Sequence, residues 1–255
     1  MNRLKRDSVS FYPLWYLCHT WDTRKVAVFG EKEMSISQVY AKTREYSEAC
    51  QEYYIPRILP ADKWHYLFIK RVFDVVVSVV GLAVLLIPML LIAVVIKLDS
   101  RGPVLFKQER LGMDGKPFMM YKFRSMYLNA EQDGPQWADK IDCRCTRVGC
   151  VLRKTRLDEL PQLWNILKGE MSVVGPRPER AYFYDQFETY IHGFRHRMLV
   201  KPGLTGLAQI NGGYELKPEE KIIYDMEYIQ NRSIRMDLAC IIKTVRLIFT
   251  HEGAR

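Results

Sequence analysis

Residues 72–96 read VFDVVVSVVGLAVLLIPMLLIAVVI, an apolar run that carries a single charge, Asp74. As one straight helix the run would be about 37 Å long, enough to cross a hydrocarbon core of about 30 Å. Pro88 lies inside the run, where a proline removes a backbone hydrogen bond and clashes with the preceding turn. A break at Pro88 leaves a first arm, residues 72–87, of roughly 24 Å, which is too short to cross the core.

Basic residues flank both ends of this run: Lys70, Arg71, Lys97, Arg101 and Lys107. Positive charge favours the cytoplasmic side of a membrane, so both ends are expected inside the cell. A re-entrant helix, which enters and leaves by the same face and bends at Pro88, satisfies the length, the proline and the charge together. From this stretch alone, a Pro88-kinked helix that crosses the membrane is the commoner structure and stays open as an alternative.

The composition limits the class of ligand. The chain has 255 residues, a formal net charge of +9 and fifteen tyrosines. A basic chain rich in aromatic residues is typical of a protein that rests on anionic lipid or binds phosphates. Nucleic acid is the competing ligand, but no helix-turn-helix, zinc-finger or basic-region pattern occurs, so no nucleic-acid partner is expected. Cys143, Cys145 and Cys150 cluster without CxxC spacing or a nearby histidine, which indicates reduced thiols rather than a zinc site.

We divide the chain into two parts. Residues 1–66 form an amino-terminal soluble extension of unknown role, in which 25–30 predicts a strand and 37–53 a helix. Residues 67–255 contain the membrane helix at 72–96 and are long enough to bury a core of their own.

Residues 103–126 read PVLFKQERLGMDGKPFMMYKFRSM, with a strong turn signal, Asp114-Gly115, between two runs of mixed apolar and polar residues. This pattern predicts a β-hairpin. Lys122 and Arg124 are two residues apart in the second run, so their side chains are expected on one strand face. Two interpretations remain open: a phosphate-facing pair and an ordinary basic strand edge.

The stretch 151–180 reads VLRKTRLDELPQLWNILKGEMSVVGPRPER and combines a helix signal with charged residues. An apolar helical face is formed by Leu160, Leu163, Trp164, Ile166 and Leu167. Gly169 is a natural helix stop, and Pro161 is best tolerated in a first turn. Asp158 and Glu159 are therefore expected near the helix start, where free N–H groups and the helix dipole favour anions. The plainer alternative is that Asp158 is only an N-cap.

Several cations surround these two carboxylates in the sequence: Arg153, Lys154, Arg156, Arg177 and Arg180. A cap does not require so many positive charges, and the fork of an arginine suits phosphate well. The prolines of GPRPER restrict the backbone around Arg177. These residues favour a phosphate-binding site, while a solvated basic face with surface ion pairs stays open.

Two more helices are predicted near the carboxyl end. Pro218, followed by Glu219 and Glu220, begins one that reaches about Gln230. Asp237 opens the last helix. Its apolar stripe consists of Leu238, Ile241, Ile242, Val245, Ile248 and Phe249. The stripe fits an interfacial membrane helix and a core-facing helix about equally well.

Taken together, several segments resemble the bacterial sugar transferase family, the monotopic polyprenyl-phosphate phosphoglycosyl transferases. The matching segments are KRVFD at 70–74, PVLFKQERLG at 103–112, YKFRSM at 121–126, LDELPQLWNILKGEMSVVGPRP at 157–178, KPGLTGLAQ at 201–209 and the stretch 224–245. Long motifs in one order make the resemblance specific. The segment Asp142-Cys143-Arg144-Cys145-Thr146 departs from the family's usual Asp-Pro-Arg-Val-Thr, and Ile87 stands where the family often has serine before the proline.

The resemblance implies an α+β, mainly helical fold. It would combine a re-entrant membrane helix, interfacial amphipathic helices and a small catalytic domain that contains a β-hairpin. It implies Mg²⁺ as cofactor, and the lipid bilayer, a UDP-sugar and polyprenyl (undecaprenyl) phosphate as partners. The implied reaction transfers a phospho-sugar to the lipid and releases UMP, at the cytoplasmic face of a bacterial inner membrane. It would be the first membrane step of glycan assembly, and a homo-oligomer is left open.

The resemblance also implies roles for individual residues. Asp158 would be the nucleophile and a metal ligand, and Glu159 the base for the acceptor step. Arg153 and Arg177 would bind substrate phosphates. The basic hairpin residues would join them: Lys122 and Arg124.

Two other functions remain open. One is a non-enzymatic, membrane-anchored basic protein that binds anionic lipid or polymer. The other is an enzyme that transfers only the sugar and releases UDP.

Overall fold

A computed structural model describes residues 52–58, 60, 63–131, 134, 142–213 and 215–250. This part of the chain is mainly helical with a few short strands, as predicted. The helices are α1 (Trp64–Val84), α2 (Leu86–Asp99), α3 (Arg147–Thr155), α4 (Gln162–Lys168), α5 (Ala181–Glu188), α6 (Leu207–Ile210), α7 (Pro218–Asn231) and α8 (Ile234–Thr250). The strands are β1 (Tyr53–Tyr54), β2 (Leu105–Leu111), β3 (Pro117–Phe123), β4 (Ser172–Val174), β5 (Ile191–His192) and β6 (Gly203–Thr205). The strand predicted at 25–30 and most of the helix predicted at 37–53 lie outside the described residues.

The apolar run forms two helices, α1 and α2, whose axes bend by 61° at Leu85. Among the described residues no single helix is long and apolar enough to span a membrane, whereas this bent pair reaches that length and composition together. The bend lies three residues before Pro88, the position predicted for it. Proline clashes with the carbonyl four residues earlier, here that of Val84, so it breaks the turn before it and is itself tolerated in the first turn of α2.

Replacing Pro88 with leucine is expected to straighten this pair. A leucine N–H would be able to donate to the Val84 carbonyl, and the clashing ring would be gone, which removes a helix penalty of about 3 kcal/mol. The straightened run would be long enough to cross a bilayer. We expect Met1 and Arg255 to be cytoplasmic in the wild type, and a fraction of Pro88→Leu chains to place the amino terminus outside.

The measurement is cysteine labelling from outside, with a tag at each end of a cysteine-depleted chain. Ile87→Leu is the matched control, because it changes the neighbouring residue and keeps the proline. A wild-type amino terminus that is labelled from outside would rule out a re-entrant pair. Identical labelling of Pro88→Leu and wild type would show that Pro88 does not set the topology.

The first of these helices is joined to the rest of the fold by polar contacts. The buried Asp74 carboxylate accepts hydrogen bonds from the Ser172 hydroxyl (3.0 Å) and the Val173 amide (2.8 Å) on β4. Arg71 donates to the carbonyls of Ile166 and Leu167 (both 2.8 Å), and so caps the carboxyl end of α4. The only charged residue of the apolar run, Asp74, therefore docks α1 against the rest of the domain.

The predicted hairpin is confirmed. Strands β2 and β3 pair antiparallel, and the turn between them holds Asp114 and Gly115 at φ of 57° and 72°. Two successive positive φ values are what an Asp-Gly turn accommodates. In the register Phe106 lies opposite Lys122, so the start of β2 and the end of β3 lie side by side.

The core is formed by the hairpin, α1, α4, α5 and α7 together with the parallel pairs β4–β6 and β1–β5, which also contribute buried residues to it. Its fully buried members include Ile166, Met171, Ile222 and Ile229. Ile55, which follows β1, is also buried there. The chain before α1 thus contributes to this core, and the boundary predicted at residue 66 falls inside α1.

The helix predicted from Pro218 to about Gln230 is confirmed as α7. The last helix begins at Ile234, and Asp237 lies in its first turn, where it is buried. Its carboxylate accepts hydrogen bonds from Lys70 (2.8 Å), Tyr66 (3.0 Å) and Tyr228 (2.8 Å), which ties α8 to the start of α1.

One residue of the predicted stripe on α8, Ile241, packs against the core, in which its neighbour Cys240 is fully buried. Leu238, Ile242 and Val245 are instead exposed on its outer side. The helix therefore offers both an apolar face to the core and an apolar outer surface.

Candidate active site

The two acidic residues lie in a short turn between helices. Helix α3 ends at Thr155, and Arg156 reverses the chain with a φ of 58°, a value that residues other than glycine rarely adopt. Leu157–Glu159 then form a 3₁₀ turn, and α4 begins at Gln162. The acidic pair is thus one turn before the helix, slightly earlier than predicted. Pro161 is the N-cap residue of α4, so Asp158 is not its cap.

Glu159 is buried and holds two cations. Its Oε1 atom accepts hydrogen bonds from Lys122 Nζ (3.1 Å) and from Arg177 Nη2. Burial alone would favour the neutral acid, but the two cations hold the pKa of Glu159 far below its usual range. The Glu159 carboxylate therefore stays ionised and positions Lys122 and Arg177, which come from β3 and from the Gly-Pro-Arg-Pro loop.

Asp158 has different surroundings. It lines the main cavity, and among the described residues its carboxylate receives no side-chain hydrogen bond. Burial raises the pKa of Asp158 to about 6. The positive charge of Lys122 opposes this rise, and the negative charge of Glu159 adds to it. The neighbouring carboxylates are thus separated in role: Glu159 is tied to cations, while Asp158 faces the space that a ligand would fill.

Arg153, one of the predicted phosphate ligands, also lines the cavity. Its Nη1 atom donates to Asp142 Oδ2 (3.3 Å) and to Cys145 Sγ (2.9 Å). Arg144 binds the same carboxylate through two nitrogens (both 2.7 Å), and these hydrogen bonds lower the pKa of Asp142 to about 2. The segment that departs from the family pattern therefore keeps Asp142 as the anchor of two cavity arginines.

Arg177 is supported from behind by an ion pair that the sequence patterns did not reveal. Arg197 donates to the Arg177 carbonyl through Nη2 (3.0 Å) and to Asp225 through Nε (2.6 Å). Both members of the Arg197–Asp225 pair are 1% exposed. The pair joins the 3₁₀ segment Phe194–Leu199 to α7.

Replacing Arg197 with alanine is expected to destabilise the protein by about 3–5 kcal/mol, because it leaves the buried Asp225 carboxylate unpaired. The matched control is Arg195→Ala. Arg195 pairs with Asp185 at the surface, where the side chains are 44% and 66% exposed, so its loss should cost less than about 1 kcal/mol. Thermal unfolding of the detergent-solubilised protein compares the two variants, and equal midpoints would contradict the expected difference.

Arg124 does not join Lys122 at the acidic pair. It borders the cavity, but its guanidinium donates to the carbonyls of Ser100 and Arg101 (both 2.7 Å), at the end of α2. Since a helix end presents unpaired carbonyls, this arginine acts as a cap for α2. The strand ends at Phe123, so the alternation that put Lys122 and Arg124 on one face no longer applies.

These residues surround one cavity of about 650 Å³, a size typical of small-ligand sites. Its cationic side chains include Lys122, Arg144, Arg153, Arg156, Arg177 and Arg197. Two other carboxylates that line it, Glu131 and Glu179, are paired with Arg180 and Arg110. A pocket in which cations outnumber carboxylates favours a ligand that carries several negative charges.

A magnesium ion fits this donor set only together with a ligand. The described residues contain no group of three or more histidine, cysteine, aspartate or glutamate side chains that could hold a metal ion. Mg²⁺ is usually bound by one or two carboxylates together with substrate phosphates and water. Asp158 supplies one such carboxylate, whereas Glu159 is occupied by its two cations.

Comparison with known proteins agrees with the arrangement of these motifs. The family model for bacterial sugar transferases matches residues 65–251. The chain is 47% identical, over 193 residues, to a UDP-N-acetylgalactosamine-undecaprenyl-phosphate N-acetylgalactosaminephosphotransferase of Aeromonas hydrophila, which covers 74% of this chain and 46% of that protein. It is 46% identical, over 190 residues, to a UDP-glucose:undecaprenyl-phosphate glucose-1-phosphate transferase of Klebsiella pneumoniae, covering 72% of this chain and 41% of that protein.

A third relative, from Caulobacter vibrioides, has the same name as the Klebsiella protein. It is 43% identical over 192 residues, which is 72% of this chain and 71% of that protein. The chain thus spans less than half the length of the first two relatives and more than two thirds of the third. With the family model covering residues 65–251, the chain belongs to the bacterial sugar transferase family.

Proposed function

We propose that the protein transfers a sugar 1-phosphate from a UDP-sugar to undecaprenyl phosphate, or a similar polyprenyl phosphate, and releases UMP. The reaction would take place at the cytoplasmic face of a bacterial inner membrane, with the α1–α2 pair re-entrant in the bilayer. The observation that carries this proposal is the contrast between the two carboxylates. Among the described residues, the Asp158 carboxylate lines the cavity and receives no side-chain hydrogen bond, while Glu159 beside it is held by Lys122 and Arg177.

The first step forms a covalent intermediate. An Asp158 carboxylate oxygen attacks the phosphorus that bears the sugar, forming an acyl-phosphate bond, and the bond from this phosphorus to the bridging oxygen breaks. UMP leaves with the electron pair on that oxygen. A carboxylate that attacks a diphosphate needs positive charge nearby, and Lys122, Arg177 and Arg153 lie around the cavity to supply it.

The second step transfers the group to lipid. An oxygen of the polyprenyl phosphate attacks the same phosphorus, and the Asp158 carboxylate leaves. The product is a sugar joined to the polyprenol through a diphosphate. Splitting the reaction in two lets a water-soluble donor and a lipid acceptor react at one carboxylate in turn.

Glu159 is proposed to position cations rather than to accept a proton. A general base works best when its pKa lies near the working pH, and the pKa of Glu159 is held far below it. Its loss would instead release Lys122 and Arg177. When bound with the donor at Asp158, Mg²⁺ would add further neutralisation of phosphate charge.

The test is a panel of UDP-sugars, each incubated with undecaprenyl phosphate and the detergent-solubilised protein. We expect UMP and a lipid-linked product with at least one of UDP-glucose, UDP-galactose and their N-acetylated forms. Release of UDP instead would indicate transfer of the sugar alone. No nucleotide release with any donor would favour the membrane-anchored, lipid-binding alternative.

A further inference from the structure

Part of the cavity lining is apolar and lies next to the turn that follows α2. Four residues with large, exposed apolar side chains belong to it: Leu105 (38%), Phe106 (39%), Tyr127 (49%) and Leu128 (69%). We call this surface the membrane-side rim. The other large, exposed apolar side chains of the described chain lie elsewhere, mainly on α1, α2 and α8, and do not line the cavity. The rim is thus the place where exposed apolar surface meets the candidate active site.

The rim lies between the bent helix pair and the acidic pair. Residues 105 and 106 follow α2 closely, and Leu128 reaches back to the same turn, where its Cδ2 atom is 3.1 Å from the point that a Cβ on Gly102 would occupy. In the other direction, Phe106 lies opposite Lys122, whose ammonium contacts Glu159. An apolar molecule that leaves the bilayer beside α2 would therefore meet the rim before it reaches Asp158.

The two proposed substrates differ in the surface that they need. A UDP-sugar is polar except for its uracil ring, which can stack on one aromatic side chain, so it can cover only a small part of the rim. A polyprenyl phosphate must place its phosphate among the cations while the first isoprenoid units still need an apolar environment. Covering the rim with those units would remove apolar surface from water on both partners, at about 25 cal/mol for each square ångström buried.

We propose that Phe106, Tyr127 and Leu128 bind the isoprenoid units adjacent to the acceptor phosphate. Leu105 pairs with Phe123 on the other face of β2, so no contact with the acceptor is assigned to it. The inference rests on the proposed function and adds the acceptor's path to it. The chain of the acceptor would lie along the rim, and its phosphate would reach the sugar-bearing phosphorus on Asp158 from the side of α2.

The experiment uses Leu128→Ser and Phe106→Ser in the full-length protein. Leu128 lies in a turn outside the helices and strands, so its replacement does not weaken an element of the fold. The control is Ile242→Ser, because Ile242 is 69% exposed, as Leu128 is, and does not line the cavity. Three quantities are measured: the burst of UMP without acceptor, the KM for undecaprenyl phosphate, and the apparent affinity for farnesyl phosphate as acceptor or competitor.

We expect each rim variant to raise the KM for undecaprenyl phosphate about five- to tenfold, the effect of losing roughly 1 kcal/mol of apolar contact. The affinity for farnesyl phosphate should fall by a similar factor. This short acceptor needs no bilayer, so the fall would report a direct contact with the first isoprenoid units. The control should change neither quantity.

Three results would overturn the inference. An unchanged KM in both rim variants would show that the rim does not contact the acceptor. Normal farnesyl phosphate affinity together with a raised KM for undecaprenyl phosphate would show that the rim only attaches the protein to the bilayer. A burst of UMP that falls as much as acceptor turnover would assign the rim to the donor. Failure of the proposed function differs from all three, because then the wild type itself would release no UMP.

Discussion

Asp158→Asn is expected to abolish UMP release and lipid product, with a loss of roughly a thousandfold or more, as is usual when a nucleophile is removed. The wild type, incubated with its UDP-sugar and no acceptor, should carry a phospho-sugar on the tryptic peptide 157–168. Fragment ions then distinguish Asp158 from Glu159 in that peptide. The fold should be retained, because the raised pKa of Asp158 means that its charge opposes folding at neutral pH, and asparagine has no charge.

Two further results bear on the same residue. The nucleophile must be ionised, so the rate of the UMP burst should fall as the pH drops below about 6, the value to which the pKa of Asp158 is raised. Asp185→Asn, at an exposed ion pair, serves as the control and should leave activity unchanged. An unmodified peptide during full turnover, or an Asp158→Asn variant within tenfold of the wild type, would exclude the covalent mechanism.

Arg177→Ala is expected to lower kcat/KM by about a hundredfold to a thousandfold, equivalent to about 2.7–4 kcal/mol of transition-state stabilisation. Arg177 lines the cavity, is held by Glu159, and receives support at its carbonyl from Arg197. Arg177→Lys should recover little of the loss, because an ammonium does not reproduce the two-pronged geometry of a guanidinium.

A double-mutant cycle with Glu159→Gln tests how these two residues work. If Glu159 acts by positioning Lys122 and Arg177, the two losses should be less than additive, because the double variant adds only the release of Lys122 to the effect of Arg177→Ala. Fully additive losses would show that Glu159 does not act through Arg177. Arg153→Ala provides a comparison, since its anchor is Asp142 and its effect should be independent of Glu159.

The features that depend on neighbouring residues were predictable from the sequence. The Asp114-Gly115 turn places its hairpin correctly because both residues accept positive φ. Pro218 begins a helix, and Gly169 ends one with a φ of 87°. The bend between α1 and α2 lies three residues before its predicted position, because a proline disrupts the helix at the carbonyl one turn before it rather than at its own position.

The features that depend on distant residues were not predictable. Arg124 has the spacing of a phosphate ligand, and only the position of the end of α2 shows that its two terminal nitrogens already donate to backbone carbonyls. Arg197 and Asp225 are separated by 28 positions, with no periodic pattern to pair them. The division of roles between Asp158 and Glu159 likewise depends on the position of Lys122 on β3, from which it donates to Glu159.

The hydrogen bonds of Asp74 make the α1–α2 pair a part of the domain's own folding unit. The Val173 amide, in the strand next to the Gly-Pro-Arg-Pro loop, has its partner on α1 and would lose it if that pair were absent. An unrelated anchor could keep the domain near a bilayer, but it would leave a β4 donor and the carboxyl end of α4 without partners. Native-state hydrogen exchange at the Val173 amide would then report directly whether the α1–α2 pair is docked on the domain. Insertion of this pair, folding of the domain and assembly of the site would be one cooperative event during biosynthesis.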